Sequence, residues 1–173
     1  MPKWPDLVSA VVVLGGLLTA CGRSPQALSV EAPVAVVGEY LTRDSRGERL
    51  QPSPWFRSVS AWADEPGWDA LTLIHSFRVE SDSVYGDSAR VRVAYEVVGS
   101  LQGTPEGTPM YLFPGAETQR VEFVLARVQD RWLVASPSIN PHVLADSILV
   151  YRPNIVSGSQ AVLLESLLRA NSR

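Results

Sequence analysis

The sequence predicts an α+β domain, in which an N-terminal helix packs on a curved, cone-like antiparallel sheet and an extra helix follows at the C-terminus. Three patterns point to it. Apolar residues recur at helical spacing across residues 34–41, a period of two takes over near Leu71, and helical spacing returns after Asn154.

Pro33 is a good first-turn residue and opens the first helix. Val34, Val37, Tyr40 and Leu41 fall on one face of it. Gly38 weakens the helix by about 1 kcal/mol relative to Ala. The charged run Arg43 to Arg49 forms an exposed end that Gly47 can cap. Gln51-Pro52-Ser53-Pro54 breaks the chain, Trp55 to Glu65 supports one or two helical turns, and Pro66-Gly67 ends them.

From Leu71 the strands begin. Phe77 and Val79 alternate with Arg78 and Glu80, and Tyr85-Gly86-Asp87-Ser88 supplies a hairpin turn. Val91, Val93, Tyr95 and Val97 alternate with Arg90, Arg92 and Glu96, and Gly99 is expected to end that strand. Residues 102–116, rich in Gly, Pro and Thr, read as a long loop, with Met110 to Phe113 as a short edge strand. Val121, Phe123 and Leu125 mark a strand from about Thr118 to Val128, Gln129-Asp130 turns it, and Trp132 and Val134 carry its partner up to Ser136-Pro137. Asn140-Pro141-His142 reads as a break, and Val143 to Tyr151 suits helix or strand equally. The last helix gathers Ile155, Val162, Leu163 and Leu167 on one side, with Glu165 and Arg169 four apart on the other. Ser157-Gly158-Ser159 reads as its N-terminal cap.

The first residues carry a different message. An uncharged run from Leu7 to Ala20 follows the cation Lys3 and stops at Leu18-Thr19-Ala20-Cys21. A cationic start, a short apolar segment and small residues before a cut make a secretory signal. The run is too short to span a bilayer, which takes about 20 apolar residues. The tetrapeptide resembles the lipobox of bacterial lipoproteins. That resemblance implies cleavage between Ala20 and Cys21 and diacylglycerol, with palmitate-like chains, on the Cys21 thiol. Two or more acyl chains anchor stably, at about 0.8 kcal/mol per buried CH₂. The expected organisation is a signal peptide over 1–20, a lipidated tether over 21–33, the cone-like domain over 34–152 and the C-terminal helix over 153–173. The expected location is the cell envelope. Gly22, where an Asp signals inner-membrane retention, implies the outer membrane if the organism has one.

Removal of the first 20 of 173 residues leaves 153, enough for one domain with its own core. Lys3 is the only lysine and Cys21 the only cysteine. A lipidated chain therefore offers no Schiff-base amine and no free thiol. The net charge is −3, and no basic stripe with interleaved aromatics suggests nucleic acid. His75 and His142, the only histidines, are far apart, so no metal and no cofactor is expected.

The opening helix Val34 to Leu41, the hairpin Phe77 to Val97 and the closing hairpin Arg120 to Pro137 together resemble the nuclear-transport-factor-2-like (cystatin-like, SnoaL-like) superfamily over about residues 33–140. The resemblance implies a cone-shaped pocket, a scaffold that carries unrelated activities. It also implies that an Asp or His in the cone can do acid–base work, which singles out His75 with Asp69 as catalytic candidates. Trp55, Trp62 and Trp68 crowd into a short segment and suit either a pocket wall or core filling. With Tyr40 and Tyr95 they are the candidate ligand contacts. The leading expectation is a non-catalytic envelope lipoprotein that binds a small apolar ligand or a protein partner near the membrane. The alternatives are a small-molecule isomerase or dehydratase using His75 and Asp69, and a structural or assembly factor using the last helix and the 102–116 loop.

Overall fold

In a computed structural model that describes residues 31–51, 54–62, 64, 67–102, 109–151 and 158–171, the chain is α+β, with a five-stranded sheet and a few helices. Ala20, Cys21, the tether up to residue 30, Ile155 and the middle of the 102–116 loop lie outside the described residues. Helix α1 (Pro33–Ser45) starts on its proline, as expected. Its buried face is Val36, Val37, Tyr40 and Leu41. Gly47 adopts the left-handed conformation, φ 73°, and lets the chain reverse into a 3₁₀ turn, Glu48–Leu50. Helix α2 (Phe56–Val59) is a single turn.

Strands β1 (Ala70–Tyr85), β2 (Ser88–Gln102), β3 (Met110–Val128) and β4 (Arg131–Ser136) form an antiparallel meander. Gly86 at φ 59° turns the first hairpin. Gln129 and Asp130, both at positive φ, turn the last. The sheet is nevertheless mixed, which corrects the wholly antiparallel expectation. His142–Leu144, expected to begin in a break, is strand β5, and it runs parallel to β1 with Thr72 opposite His142. The order is β4-β3-β2-β1-β5, so β4 and β5 are the two edges. The chain from Ser136 to His142 reaches at most about 20 Å. A flat sheet of five strands is about 19 Å across, so the crossing has no slack and the sheet curls. Extra residues promote the curl: His75 and Glu80 in β1, Val98 in β2 and Ala135 in β4.

Two strand boundaries differ from expectation because of one glycine. Gly99 does not end β2, which continues to Gln102, and Met110 to Phe113 is strand as expected but runs on through Pro114 to Ala116 as part of β3, where a loop was expected. Gly99 sits opposite Leu112, and a Cβ built there would collide with the Tyr111 carbonyl oxygen. The missing side chain lets β3 pair closely at this point.

Apolar clusters lie on both faces of the sheet. The first joins Val36, Val37, Tyr40 and Leu41 of α1 to Phe56, Ile74, Val91, Val93, Tyr95, Phe123 and Val134. The second joins Leu71, Leu73, Val98, Leu101 and Val143 to α3 (Ala145–Tyr151) and α4 (Gly158–Asn171). It covers only one end of its face. At the other end, Arg78, Arg90, Arg92 and Arg120 interleave with Glu80, Glu96 and Glu122 in an exposed ion-pair ladder. The face of α4 that packs is Ala161, Leu164 and Leu168, whereas Val162 and Leu163 are exposed, which corrects the expected stripe. Glu165 and Arg169 do pair across one turn.

Gly99→Ala is expected to destabilise the fold by about 2–4 kcal/mol, through forced displacement of the β3 backbone. Gly115→Ala, whose Cβ meets nothing within 4 Å, is expected to be near neutral. Thermal unfolding of the two variants checks the contrast.

Candidate functional site

The last turn of α1 carries Asp44 inward, and the chain reversal at Gly47 brings Arg49 back over it. Both are almost completely buried, 1 % and 5 % exposed. Arg49 Nη1 lies 3.4 Å from Asp44 Oδ1 and donates a 2.6 Å hydrogen bond to Tyr40 Oη. Its Nη2 donates to the Ile139 carbonyl at 2.8 Å. The guanidinium also stacks 5.3–5.5 Å from the rings of Tyr40, Phe56 and Trp68. Asp44 Oδ2 accepts the backbone N–H of His142 at 3.0 Å. One ion pair thus ties α1 to the crossing segment and to the first residue of β5.

His142 is buried against Tyr95, with ring centroids 4.3 Å apart. Its Nδ1 lies 2.8 Å from the Asn140 carbonyl oxygen. A carbonyl only accepts, so Nδ1 carries the proton and Nε2 is the bare nitrogen. Burial lowers the His142 pKa to about 4, with the nearby Arg49 charge acting in the same direction. Burial also pushes the Tyr95 phenol well above its ordinary range, reinforced by the Asp44 carboxylate. Both rings are therefore neutral at pH 7. Neither Tyr95 Oη nor His142 Nε2 has a hydrogen-bond partner among the described residues.

A cleft of about 380 Å³ lies in front of this cluster. It exists because β3 leaves β2: between the pairs Val97–Glu117 and Gly99–Leu112, residues 113–116 face only Val98. Thr72, Val97, Ser100, Phe113, Glu117 and Gln119 line it, with Gly99 and Thr118. Cross-strand partners share a face. Glu117 is the partner of Val97 and Gln119 that of Tyr95, so the cleft opens on the face that carries the first apolar cluster. Thr72 connects cleft to cluster, because its Oγ1 accepts a 2.8 Å hydrogen bond from Asn140 Nδ2 and its strand partner is His142.

The sequence candidates fall elsewhere. His75 is the extra residue of a bulge in β1, and both it and Asp69 are exposed. Neither is among the described residues that line the cleft at Thr72, Val97 and Glu117. Tyr40 and Tyr95 are fully buried and Trp55 nearly so. Tyr40, Trp55, Phe56 and Trp62 pack ring to ring, and Trp62 stacks on Phe56 at 5.8 Å. None of the five aromatic candidates is among the described residues lining the larger cleft. Sequence reasoning missed Asp44, Arg49, His142 and Glu117. For Arg49 the one local signal was Gly47, which lets a charged run fold back on itself. Among the described residues there is no group of three or more His, Cys, Asp or Glu able to hold a metal. No protein-family model and no curated protein sequence matches the chain.

Asp44→Ala leaves Arg49 buried beside no carboxylate and is expected to cost about 3–5 kcal/mol. Adding Arg49→Met should recover most of that loss in urea unfolding, and a double variant as weak as the single one would show that the pair does not act as a unit. The pH dependence follows from His142. Folded, it titrates near 4, against 6.5 for an ordinary His. Its contribution is whole above pH 6.5 and fades as the pH falls towards 4, by about 3 kcal/mol. Unfolding measured at pH 7 and pH 4 should show a smaller loss for His142→Gln than for the wild type.

Proposed function

We propose that the chain is a membrane-anchored envelope lipoprotein whose α+β domain is a non-catalytic binding module, with the cleft at Thr72, Val97, Phe113 and Glu117 as its binding site. The observation that carries the binding reading is the cleft itself. Its volume of about 380 Å³ lies within the ordinary range for small-ligand sites, about 300–1,000 Å³. Its walls mix apolar Val97 and Phe113 with the hydrogen-bonding groups of Thr72, Ser100 and Gln119. Glu117 is the only ionisable side chain among its described lining residues, and it brings a single carboxylate to a wall of hydroxyls and apolar groups. The anchoring part of the proposal rests on the apolar run and on Leu18-Thr19-Ala20-Cys21. With a tether ending near Pro33, the domain would work close to the bilayer, in the outer membrane of a diderm cell.

The cone-like, nuclear-transport-factor-2-like architecture belongs to the same proposal. It is supported by the shared apolar cluster of α1 and the inner sheet residues, and by a cleft on that face. A second reading, an assembly contact through α3 and α4, is favoured by Val150, Val162 and Leu163, which are 69 %, 66 % and 54 % exposed.

Cys21→Ala is expected to abolish labelling by a palmitate analogue and to move the chain out of the membrane fraction. A mutant that is still labelled overturns the anchor. For the cleft, mass spectrometry of material that co-purifies with the full chain from detergent-solubilised membranes is the test. Ser100→Trp should deplete the bound species while His75→Ala leaves it unchanged, and the opposite result would return the site to the His75–Asp69 pair.

A further inference from the structure

We infer that the cleft, if it is the binding site proposed above, receives one basic side chain of an extended peptide segment that adds as a strand to the free edge of β3. Three observations converge on this. The first is the edge. β3 pairs with β4 only over Val124–Val128, so residues 110–123 have β2 on one side and no strand on the other among the described residues. Residues 114–120 are exposed. The other long edge is treated differently: β4 is covered at Val134 by Ser60 and Ala61, the latter donating its N–H to the Val134 carbonyl at 2.9 Å. An uncovered row of backbone donors and acceptors is a template for strand addition.

The second observation is position. The cleft and the edge are built from the same residues, since Phe113, Glu117 and Gln119 of β3 line the one and belong to the other. A strand added beside β3 directs alternate side chains to the cleft face. Backbone pairing would then supply affinity and the cleft would select one side chain, which is how strand-addition sites divide the work.

The third observation is charge. Glu117 is exposed at the cleft and has no ion-pair partner among the described residues, whereas Glu80, Glu96 and Glu122 of the neighbouring ladder are all paired with arginine. Phe113 and Val97 provide an apolar wall, and Glu117 with the Thr72 and Ser100 hydroxyls provides acceptors. A Lys or Arg matches both, with its methylene stem on the wall and its cation at the carboxylate. Residues 113–116 are unpaired with β2 and Pro114 has no N–H to donate, so the continuously paired residues 117–123 are the segment for strand addition.

The test uses the full chain in detergent micelles and fluorescent strand-forming peptides of alternating Thr and Val that differ only in a central Lys, Arg, Glu or Ala. The Lys and Arg peptides are expected to bind at least about tenfold more tightly than the Glu peptide, and Glu117→Lys should reverse that order. Glu117 is exposed, so the variant should keep its melting temperature, and that is measured alongside. N-methylation of alternate peptide amides should abolish binding in one frame and spare it in the other. Equal binding of the Lys and Glu peptides, no frame dependence, or no binding at millimolar peptide overturns the inference, as does self-association of the chain that excludes the peptides. A chain that still carries a ligand lost on Ser100→Trp, yet ignores the peptides, keeps the binding site and loses the peptide.

Discussion

A carboxylate and a guanidinium held out of water organise this domain. Asp44 and Arg49 are five residues apart and share α1's Tyr40 as a near neighbour, yet their other partners, Ile139 in the crossing segment and His142 at the start of β5, lie in a distant part of the chain. Withdrawing each ion from water costs several kcal/mol, and only close pairing with further hydrogen bonds offsets that. The aromatic faces around Arg49 add to the compensation. What the arrangement provides is register. With the His142 N–H fixed on Asp44, the parallel β5 can meet β1 only at Thr72.

That register carries through to the cleft. Thr72 links the two, with Asn140 and His142 holding it on the β5 side and Ser100, another cleft residue, paired with it in β2. Beyond it the Tyr95 and His142 rings pack against each other as neutral groups outside the cleft lining, and Glu117 is the one carboxylate among the described lining residues. The buried polar groups hold backbone in place, and the exposed polar groups face whatever enters.

Much of the fold was legible in the residues. Pro33 set the start of α1, Gly86 and Asp87 set the first hairpin, and the alternation from Val91 to Val97 gave β2 its buried face. These are local signals with a local cause. The misreadings arose where the decisive neighbour is far off in sequence. Gly99 looks like a terminator until Tyr111 is placed against it. His142 follows Pro141 and looks like a turn, yet Asp44, remote in sequence, makes it a strand residue. Val162 and Leu163 look like the inward stripe of α4, but the second cluster accepts the neighbouring row through Leu164. The site was least legible, because Glu117 acquires meaning only from the four residues by which β3 departs from β2.

The two apolar clusters on opposite faces divide the molecule into parts of unequal tenacity. The first is knit together by α1, by a set of interlocking aromatic rings and by the longest strand pairings. The second depends on helices α3 and α4, and Leu164 is the one fully buried side chain of α4 among the described residues. Local opening is easiest where few apolar contacts must be given up. In amide exchange the C-terminal helices would therefore trade their hydrogens while the meander and α1 stay closed. The protein could release that corner to solvent or to a neighbour and keep its cleft intact.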